Sequence, residues 1–579
     1  MATQPLDKIK IVVAIDFGTT FSGVAWAKVQ NGEPYVIEQW PGSYAPLTGA
    51  TSEKVPTRIL YDDEEPEGIK WGFQIEPDVE SHQWFKLDLE SKYSPDTALS
   101  TRYPHSNILP PNIHHNAQQL TTDYLKALKK HLMYILELQL GALQAKITPL
   151  QFVLTVPAVW SDIAREKTSL AAKNAGLEVD EPLRMISEPE AAATYALQEQ
   201  ELRFLAPGDT FVICDAGGGT VDLISYTIVK LQPVLEVKEA APGTGALCGS
   251  TYLNRRFQEF LESKLGKEQA WDNEVLADAM ERFDLVIKRN YSSTSKSQTY
   301  AVPVMGLANN PALNIKRHKM YVDSEDIKAI LQPVVDEAVK LVLEQIKTTQ
   351  ETQETKRQVK AILLVGGFGK SMYLRERIRE AVDKKIEVLQ PGYGWTAVVR
   401  GALMKGLSDA DHKYTQVRVV SRSARKHIGT KCGIIFNEAI HSEDKKYFDG
   451  FSGCWRTQAM DWFIRKGDAI NENIPYTFDF QRSQLVSLGR LTEFLTFIYC
   501  DRTDRPAVVY FDDEIVQLVR LKANIEHLPQ TSSDIETGKD GKMYYVIYFK
   551  VEITYQSAST KYELLHKGKR YNAVTAEYV

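Results

Sequence analysis

Two aspartates, each ending an apolar run and preceding a turn of small residues, carry the clearest chemical signal in this chain. Asp16 follows residues 11–15 and precedes Gly18-Thr19-Thr20, and Asp215 follows residues 211–214 and precedes Gly217-Gly218-Gly219-Thr220. Main-chain N–H groups and hydroxyls in such turns bind phosphate oxygens, and glycine lets a phosphate approach the backbone closely. A carboxylate repels phosphate but holds Mg²⁺, usually through water. The pattern therefore predicts two loops that clamp a nucleoside triphosphate and its metal.

One glycine-rich turn alone is also typical of a tight hairpin without chemistry. Two turns with matching aspartates favour an ancient unit used twice. A third glycine site, Gly366-Gly367, follows the apolar residues 361–365 and precedes Gly369-Lys370-Ser371. It is not a P-loop, because the first glycine of that pattern would stand at Leu364. We expect the glycine pair to let a flat adenine or ribose pack on the backbone.

The elements that carry these residues alternate between strand-like and helix-like patterns up to about residue 406. Continuous apolar runs at 11–15, 152–156, 211–214 and 361–365 predict strands buried on both faces. Apolar residues at helical spacing predict helices over 121–140, 162–175 and 325–346. This alternation favours an α/β class.

The character of the sequence changes near residue 408. Residues 408–416 are polar and predict a linker. Alternation of apolar and polar residues at 549–555 predicts a strand with one solvated face, and we predict a mainly antiparallel β domain over 409–579. A net charge of −6 with 10% aromatic residues excludes a strongly basic nucleic-acid binder and a disordered chain. Five scattered cysteines favour a reducing compartment, and no segment predicts a membrane span.

Six motifs in consistent order resemble the heat shock 70 kDa chaperone family, within the actin-like and sugar-kinase-like ATPase superfamily. The resemblance covers residues 11 to about 406. It implies a two-lobed domain over 1–408 built on duplicated ribonuclease-H-like sheets, with the nucleotide in the cleft, followed by a β domain that binds substrates or partners. The motifs are the loops after Asp16 and Asp215, residues 155–160 with 165–177 (TVPAVW and R…AGL), residues 186–193 (ISEPEAAA), Gly366-Gly367, and the closing helix at 397–402 (AVVRGA).

The resemblance implies roles for the residues that match these motifs. Asp16 and Asp215 would hold Mg²⁺ through water, and Glu188 and Asp222 would orient the attacking water. Lys86 would lie beside the γ-phosphate, although a solvated surface lysine fits its divergent neighbourhood nearly as well. Pro157 would couple nucleotide state to the β domain. The remaining positions implied to bind ATP or ADP are Gly18, Thr19, Thr20, Gly217, Gly218, Gly219, Thr220 and Gly249 at the phosphates, and Lys288, Gly366, Gly367, Lys370 and Ser371 at the adenosine.

Departures from the family pattern point to a divergent branch. Lys370 stands where the family has arginine, and lysine cannot stack as a planar guanidinium does, so we expect altered nucleotide affinity. Residues 408–416 lack the acidic–aliphatic linker of the family, and too few residues follow for a helical lid. These traits resemble the lidless "member 12" branch, which is typical of fungi. We predict that the stretch 71–116 is a loop, although a contact surface specific to this branch is the alternative.

Three functions remain open. The first is an ATP-binding and ATP-hydrolysing chaperone-like protein, whose nucleotide state controls residues 409–579 and through them unfolded or specific protein clients. The second is a nucleotide-sensing scaffold with little turnover. The third, a small-molecule kinase of the same superfamily, is disfavoured by the β domain. We expect a cytoplasmic or nuclear protein that neither binds nucleic acid nor spans a membrane.

Overall fold

The chain forms two compact units, Met1–Val419 and Val420–Val579. The computed structural model describes residues 10–42, 51–65, 68–90, 115–198, 204–294, 298–352, 358–472, 474–490, 492–501, 515–524, 534–571 and 574–578. Within those ranges no helix is both long enough and apolar enough to cross a membrane. All five cysteines are free thiols.

The first unit contains two sheets of equivalent connectivity and two small three-stranded sheets. Its strands are β1 Ile11–Asp16, β2 Phe21–Lys28, β3 Tyr35–Val36, β4 Val55–Pro56, β5 Arg58–Tyr61, β6 Ile69–Trp71, β7 His82–Gln83, β8 Leu150–Val156, β9 Arg184–Ser187, β10 Thr210–Ala216, β11 Val221–Lys230, β12 Leu235–Ala246, β13 Thr299–Pro303, β14 Ile315–Lys316, β15 Lys319–Asp323, β16 Val359–Val365 and β17 Glu387–Leu389.

The two large sheets repeat one design. In the first, the order is β3-β2-β1-β8-β9, and β4 also pairs with β2; in the second, the order β17-β16-β10-β11-β12 has the same hairpin beside parallel strands. β1 is antiparallel to β2 and parallel to β8, just as β10 is antiparallel to β11 and parallel to β16. Every residue of β1, β8 and β10 is buried, which explains their continuous apolar sequences. The predicted duplication of the sheet is confirmed.

Helices cover these sheets. They are α1 Ala117–Leu140, α2 Ala142–Ile147, α3 Asp162–Asn174, α4 Glu188–Gln198, α5 Ser250–Leu265, α6 Asn273–Arg282, α7 Lys288–Asn290, α8 Ser324–Thr352, α9 Gly366–Gly369, α10 Met372–Ala381 and α11 Ala397–Ala410, with a π-helical turn at Phe283–Ile287 between α6 and α7. α1 begins earlier than predicted because the Asn116 side chain accepts a hydrogen bond from Gln119 N at 2.9 Å and so caps it.

The helices α4 and α11 contribute to one buried core together with both large sheets. That core contains Ala14 of β1, Ile213 of β10, Ala191 of α4 and Ala402 of α11. The two helices cross closely, because a Cβ on Gly401 would collide with the main-chain carbonyl of Ala191. Each helix follows the last parallel strand of its own sheet, so the crossing joins equivalent parts of the two lobes.

The remaining strands form two sheets and one short pair. They are β18 Val417–Ser423, β19 His427–Ile435, β20 Tyr447–Asp449, β21 Cys454–Ile464, β22 Ala469–Ile470, β23 Tyr476–Leu485, β24 Glu493–Asp501, β25 Val516–Asn524, β26 Ile535–Thr537, β27 Met543–Tyr555, β28 Thr560–His566, β29 Lys569–Tyr571 and β30 Val574–Tyr578. One sheet has the order β20-β21-β19-β24-β25-β30, and the other has the order β23-β27-β28-β29 with β26 beside β27. Their inner faces share one apolar core, and the described residues of 420–579 contain no α-helix.

Two local predictions are wrong. Residues 408–416 are not a linker throughout: α11 continues to Ala410, and a 3₁₀ turn follows at His412–Tyr414. The polar residues fit the helix because Asp409 pairs with Lys405 one turn earlier, at 2.8 Å. The stretch 71–116 is not simply a loop, since it includes 3₁₀ helices at Gly72–Gln74 and Phe85–Leu89 and the strand β7. Its residues 91–114 lie outside the described residues.

Candidate functional site

The first loop, residues 17–20, joins β1 to β2 directly after Asp16. Gly18 cannot carry a side chain, because a Cβ there would collide with the carbonyl oxygen of Phe21. Thr57 fixes the loop from outside: its hydroxyl donates to Gly18 O at 2.8 Å, and its N–H donates to Thr20 O at 2.8 Å. The loop is therefore held by Thr57, the residue that directly follows β4.

The second loop, residues 217–220, joins β10 to β11 directly after Ala216. Gly217 N donates to Thr220 O at 2.9 Å, which closes the turn. The start of α5 binds the loop from behind, with Gly249 N on Gly219 O at 3.1 Å and Thr251 N on Gly218 O at 2.9 Å. A Cβ on Gly249 would collide with Gly218, so this close approach requires glycine.

The two loops meet face to face. A Cβ on Gly218 would collide with the side chain of Thr20, and one on Gly219 would come within 2.6 Å of Thr19 Oγ1. The structure thus brings together the two glycine and threonine turns that the sequence places far apart. A phosphate chain between them would meet main-chain N–H groups and hydroxyls from both sides.

Four carboxylates are buried near the two loops: Asp16, Asp215 and Asp222 on β1, β10 and β11, and Glu188 at the start of α4. Asp215 and Asp222 face each other across β10 and β11. Burial, with the nearby charges of Glu188, Asp222 and Asp16, raises the pKa of Asp215 well above its usual range. Such crowding of negative charge disfavours ionisation unless a cation is present.

Mg²⁺ fits this donor set. Among the described side chains, no group of three or more His, Cys, Asp or Glu could hold a metal ion on its own. Carboxylates that hold Mg²⁺ through water and share it with substrate phosphates do not need such a group. Asp16 and Asp215 are the residues that would hold the ion.

Lys86 is buried in the site and is not a solvated surface residue, because it is only 2% exposed. Its Nζ donates to Glu188 Oε1 at 2.6 Å and lies 5.6 Å from the centre of the Phe17 ring and 5.3 Å from that of Trp160. Burial raises the pKa of Glu188 to about 7, with Asp16 and Asp222 adding to the rise and Lys86 opposing it.

A second buried lysine, Lys54, was not identified from the sequence. Its Nζ lies 2.6 Å from Asp16 Oδ2. Thr155 Oγ1 donates to the other carboxylate oxygen of Asp16 at 3.2 Å. Lys54 precedes a strand of only two residues, β4, so neither periodicity nor a glycine turn marks it in the sequence.

The segment at residues 157–160 touches the site from the first lobe. Val159 N donates to Asp222 Oδ1 at 3.4 Å, and Arg165 Nη2 donates to Ala158 O at 3.0 Å. Pro157, which the resemblance connects with coupling between domains, directly follows β8 and begins this segment. A change at Asp222 would therefore reach the main chain of 157–160 through one hydrogen bond.

The third glycine site lies next to the second loop. Gly366 has φ of +82°, and a Cβ there would come within 2.6 Å of Asp215 Oδ1. A Cβ on Gly367 would lie 3.7 Å from the Trp395 ring. Lys370 Nζ lies 5.4 Å from the centre of the same ring, so its ammonium lies over an aromatic face.

Two of the implied adenosine residues have side-chain partners within the protein, and their roles in nucleotide binding stay predictions. Lys288 Nζ is bound by Asp284 and by Asn254 Oδ1, the latter at 3.0 Å. The pKa of Lys370 is lowered mainly by burial and next by the charge of Arg289, the residue that follows Lys288. Ser371 caps α10, because its Oγ accepts from Leu374 N at 3.4 Å. Trp395 and Arg289 are additional candidates that the sequence did not reveal.

Comparison with known proteins agrees with this geometry. The Hsp70 protein family model matches residues 106–407, slightly more than half of the chain. Heat shock 70 kDa protein 12A of Mus musculus is 24% identical over 552 residues, covering 79% of this chain and 77% of the relative. The Homo sapiens protein of the same name matches to the same extent. Heat shock 70 kDa protein 12B of Homo sapiens is 24% identical over 491 residues, covering 68% of each chain.

These relatives are mammalian, so the fungal branch stays a prediction. The matched region ends inside α11, and it contains the second loop, the 157–160 segment and the third glycine site. The chain therefore belongs to the Hsp70 family, as a divergent member similar to heat shock 70 kDa protein 12.

Proposed function

We propose that the chain binds ATP with Mg²⁺ between its first and second loops and hydrolyses it slowly. The observation that carries this proposal is the contact between the two loops above four buried carboxylates. Mg²⁺, held through water by Asp16 and Asp215, would neutralise charge on the phosphates. Hsp70-family membership supports the same substrate.

Different residues of the chain would bind the phosphates, activate the water and stabilise the transition state. Main-chain N–H groups and hydroxyls of the two loops bind and orient the phosphate chain. Glu188 and Asp222 orient the attacking water and accept its proton. Lys86 places a positive charge where negative charge develops on the transferred phosphoryl oxygens. The third glycine site, with Trp395 and Lys370, receives the base.

We further propose that the second unit binds protein partners. Two of its large apolar residues, Phe448 on β20 and Trp455 on β21, are 52% and 51% exposed and lie opposite each other on one face of the sheet. We call them the apolar patch. The rings of Phe448 and Trp455 contact each other at 5.4 Å, and β20 is the edge strand of its sheet. Exposed apolar clusters of this kind are typical of interaction sites.

Calorimetric titration with ATP, with and without Mg²⁺, tests the nucleotide proposal. We expect ATP to bind with Mg²⁺ and to be turned over. Asp215→Asn should weaken the effect of Mg²⁺ on binding, whereas Lys86→Met should keep much of the binding but lower turnover. Tight binding without turnover would favour the scaffold, and phosphate transfer to a sugar would favour the kinase. No heat at saturating ATP would contradict all three.

A further inference from the structure

Lys54 has a position in the candidate site that no comparison assigns to it. Its side chain is 7% exposed, and its Nζ lies 2.6 Å from Asp16 Oδ2. The stem crosses Gly23, the residue opposite Asp16 on β2. A Cβ on Gly23 would lie 3.3 Å from Lys54 Cγ and 3.5 Å from its Cε, so the bare glycine leaves the room that this stem occupies.

The backbone around Lys54 fixes where the ammonium can reach. Ser52 Oγ donates to Lys54 O at 2.6 Å. On the other side, β4 pairs with β2, with Val55 opposite Ser22. Glu53 is held by Arg400 Nη2 at 3.1 Å. The segment is therefore tied to the first loop, to β2 and to α11, and the flexible part of Lys54 is its side chain alone.

The charge of Lys54 acts on both ends of the candidate nucleotide site. It lowers the pKa of Asp215, opposing the larger effects of burial and of the other carboxylates. It also contributes, after burial and Arg289, to lowering the pKa of Lys370. Lys54 thus lies between the carboxylates at the phosphate end and the lysine above Trp395. A lysine ammonium has three donors, and Asp16 takes one of them.

Two of the described ammonium groups form ion pairs with these carboxylates, and one of these, Lys86, is bound to Glu188 at 2.6 Å. Lys54 is the other, and its partner is a residue that would hold Mg²⁺. A lysine that donates to a phosphate oxygen and a magnesium ion on the same phosphates share one source of negative charge, and they repel each other. Each cation therefore increases the affinity for phosphate by a smaller factor when the other cation is present, and this coupling is reciprocal.

We propose, on the basis of the ATP-binding function above, that Lys54 is a second phosphate-binding cation, which Asp16 positions in the nucleotide-free site. When ATP binds, Lys54 donates to the phosphate chain and supplies part of the neutralisation that Mg²⁺ would otherwise supply alone. ATP binding would therefore depend less on Mg²⁺ than it would in a site that had the same carboxylates but lacked Lys54.

The alternative is that Lys54 only compensates the buried charge of Asp16. Removing one partner of a buried ion pair strongly destabilises a fold. A purely structural role would therefore lower thermal stability. It would change ATP affinity by the same factor with and without Mg²⁺, or not at all.

The test compares ATP dissociation constants, measured by calorimetry in excess Mg²⁺ and in excess EDTA, for wild type, Lys54→Met, Lys54→Arg and Lys10→Met. Lys10, which pairs with Glu181 at 2.9 Å in a more exposed position, serves as the control for loss of a lysine charge. We expect Lys54→Met to weaken binding in EDTA at least about tenfold, since a hydrogen bond to a charged group contributes about 1.5–3 kcal/mol. In Mg²⁺ the loss of affinity should be smaller. The dissociation constant in EDTA divided by the dissociation constant in Mg²⁺ should therefore be larger than in wild type.

Lys54→Arg keeps the charge and should keep a ratio near that of wild type, as should Lys10→Met. An unchanged ratio in Lys54→Met overturns the proposal and leaves the structural role. A wild type that binds no ATP even with Mg²⁺ overturns the underlying function instead. If Lys54→Met does not fold, the wild type decides: ATP in EDTA must bind more tightly than adenosine in EDTA, and equal or weaker binding overturns the proposal.

Discussion

At the scale of single side chains, burial and the contact with Lys86 have opposite effects on the pKa of Glu188. Burial disfavours the ionised carboxylate and raises its pKa to about 7, while the ammonium at 2.6 Å favours it. A carboxyl with such a pKa can exchange a proton near neutral pH, which suits a group that accepts a proton from water. The same pair would be a poor choice for stability alone.

ATP turnover should therefore rise with pH through about 7, the pKa of Glu188 in the folded chain. Below that pH the carboxyl is protonated and cannot accept the proton of water. In Glu188→Gln the rise should disappear and the rate should fall by about 10²–10⁴-fold. The measurement is steady-state turnover at saturating ATP between about pH 6 and pH 8. Glu181→Gln, which alters an exposed ion pair, should retain the rise, and a flat wild-type profile would contradict the role of Glu188.

The same shift predicts a stability effect of known sign. The folded state holds a proton on Glu188 up to about pH 7, whereas the unfolded chain releases it near 4.5. Protons bound by the folded state alone stabilise it, and this contribution is lost as the pH rises from about 4.5 through 7.

Asp16 and Asp215 could be predicted from the sequence, since each ends an apolar strand and precedes small residues. Lys54 could not, because only the pairing of β4 with β2 brings it to Asp16. Trp395 precedes a helix in an ordinary loop, and its relation to Gly367 is a tertiary contact. Contacts that arise between segments distant in sequence leave no local pattern.

At the scale of elements, the duplicated hairpins explain how two remote sequences form one site. β1–β2 and β10–β11 have the same pairing with a neighbouring parallel strand, so each sheet ends in an equivalent loop. The strands were predictable from their buried apolar runs. The end of α11 was not, because Ser408 and Asp409 resemble the start of a linker until the ion pair of Asp409 with Lys405 is seen.

The crossing of α4 and α11 should tolerate no side chain at position 401. A Cβ on Gly401 would meet the backbone of Ala191, which cannot rotate away. Gly401→Ala should therefore destabilise the chain by about 1–3 kcal/mol, although alanine favours a helix over glycine by about 1 kcal/mol. Thermal unfolding measures the effect. Gly392→Ala, where a Cβ meets nothing within 4 Å, should be nearly neutral, and equal melting temperatures for the two variants would contradict this packing.

At the scale of the whole molecule, the chain separates into one α/β unit with the candidate nucleotide site and one β unit with the apolar patch. The β class of the second unit was predictable from alternation such as that at 549–555. The position of its exposed apolar residues was not, since alternation alone does not say which face of a strand another sheet covers.

Phe448→Ser should reduce the capacity of the chain to keep a reduced, unfolded test protein in solution, because it removes an apolar ring that is 52% exposed in the apolar patch. ATP affinity should stay within about twofold, since surface substitutions away from a site are nearly neutral. Light scattering measures the first and calorimetry the second. Leu488→Ser changes another apolar residue of the same unit, 72% exposed, and should leave both unchanged. Undiminished suppression of aggregation by Phe448→Ser would contradict the role of the apolar patch.

The contact between the first and second loops also has a kinetic consequence. With Gly218 against Thr20 and Gly219 near Thr19, the space for a phosphate chain must open before a nucleotide can enter or leave. Association would then be limited by the frequency of opening and would be slower than binding to a site that is already open. A nucleotide enclosed in this way could also leave only after the same opening, so the lifetime of each bound state would be set by motion of the two lobes more than by the strength of the individual contacts.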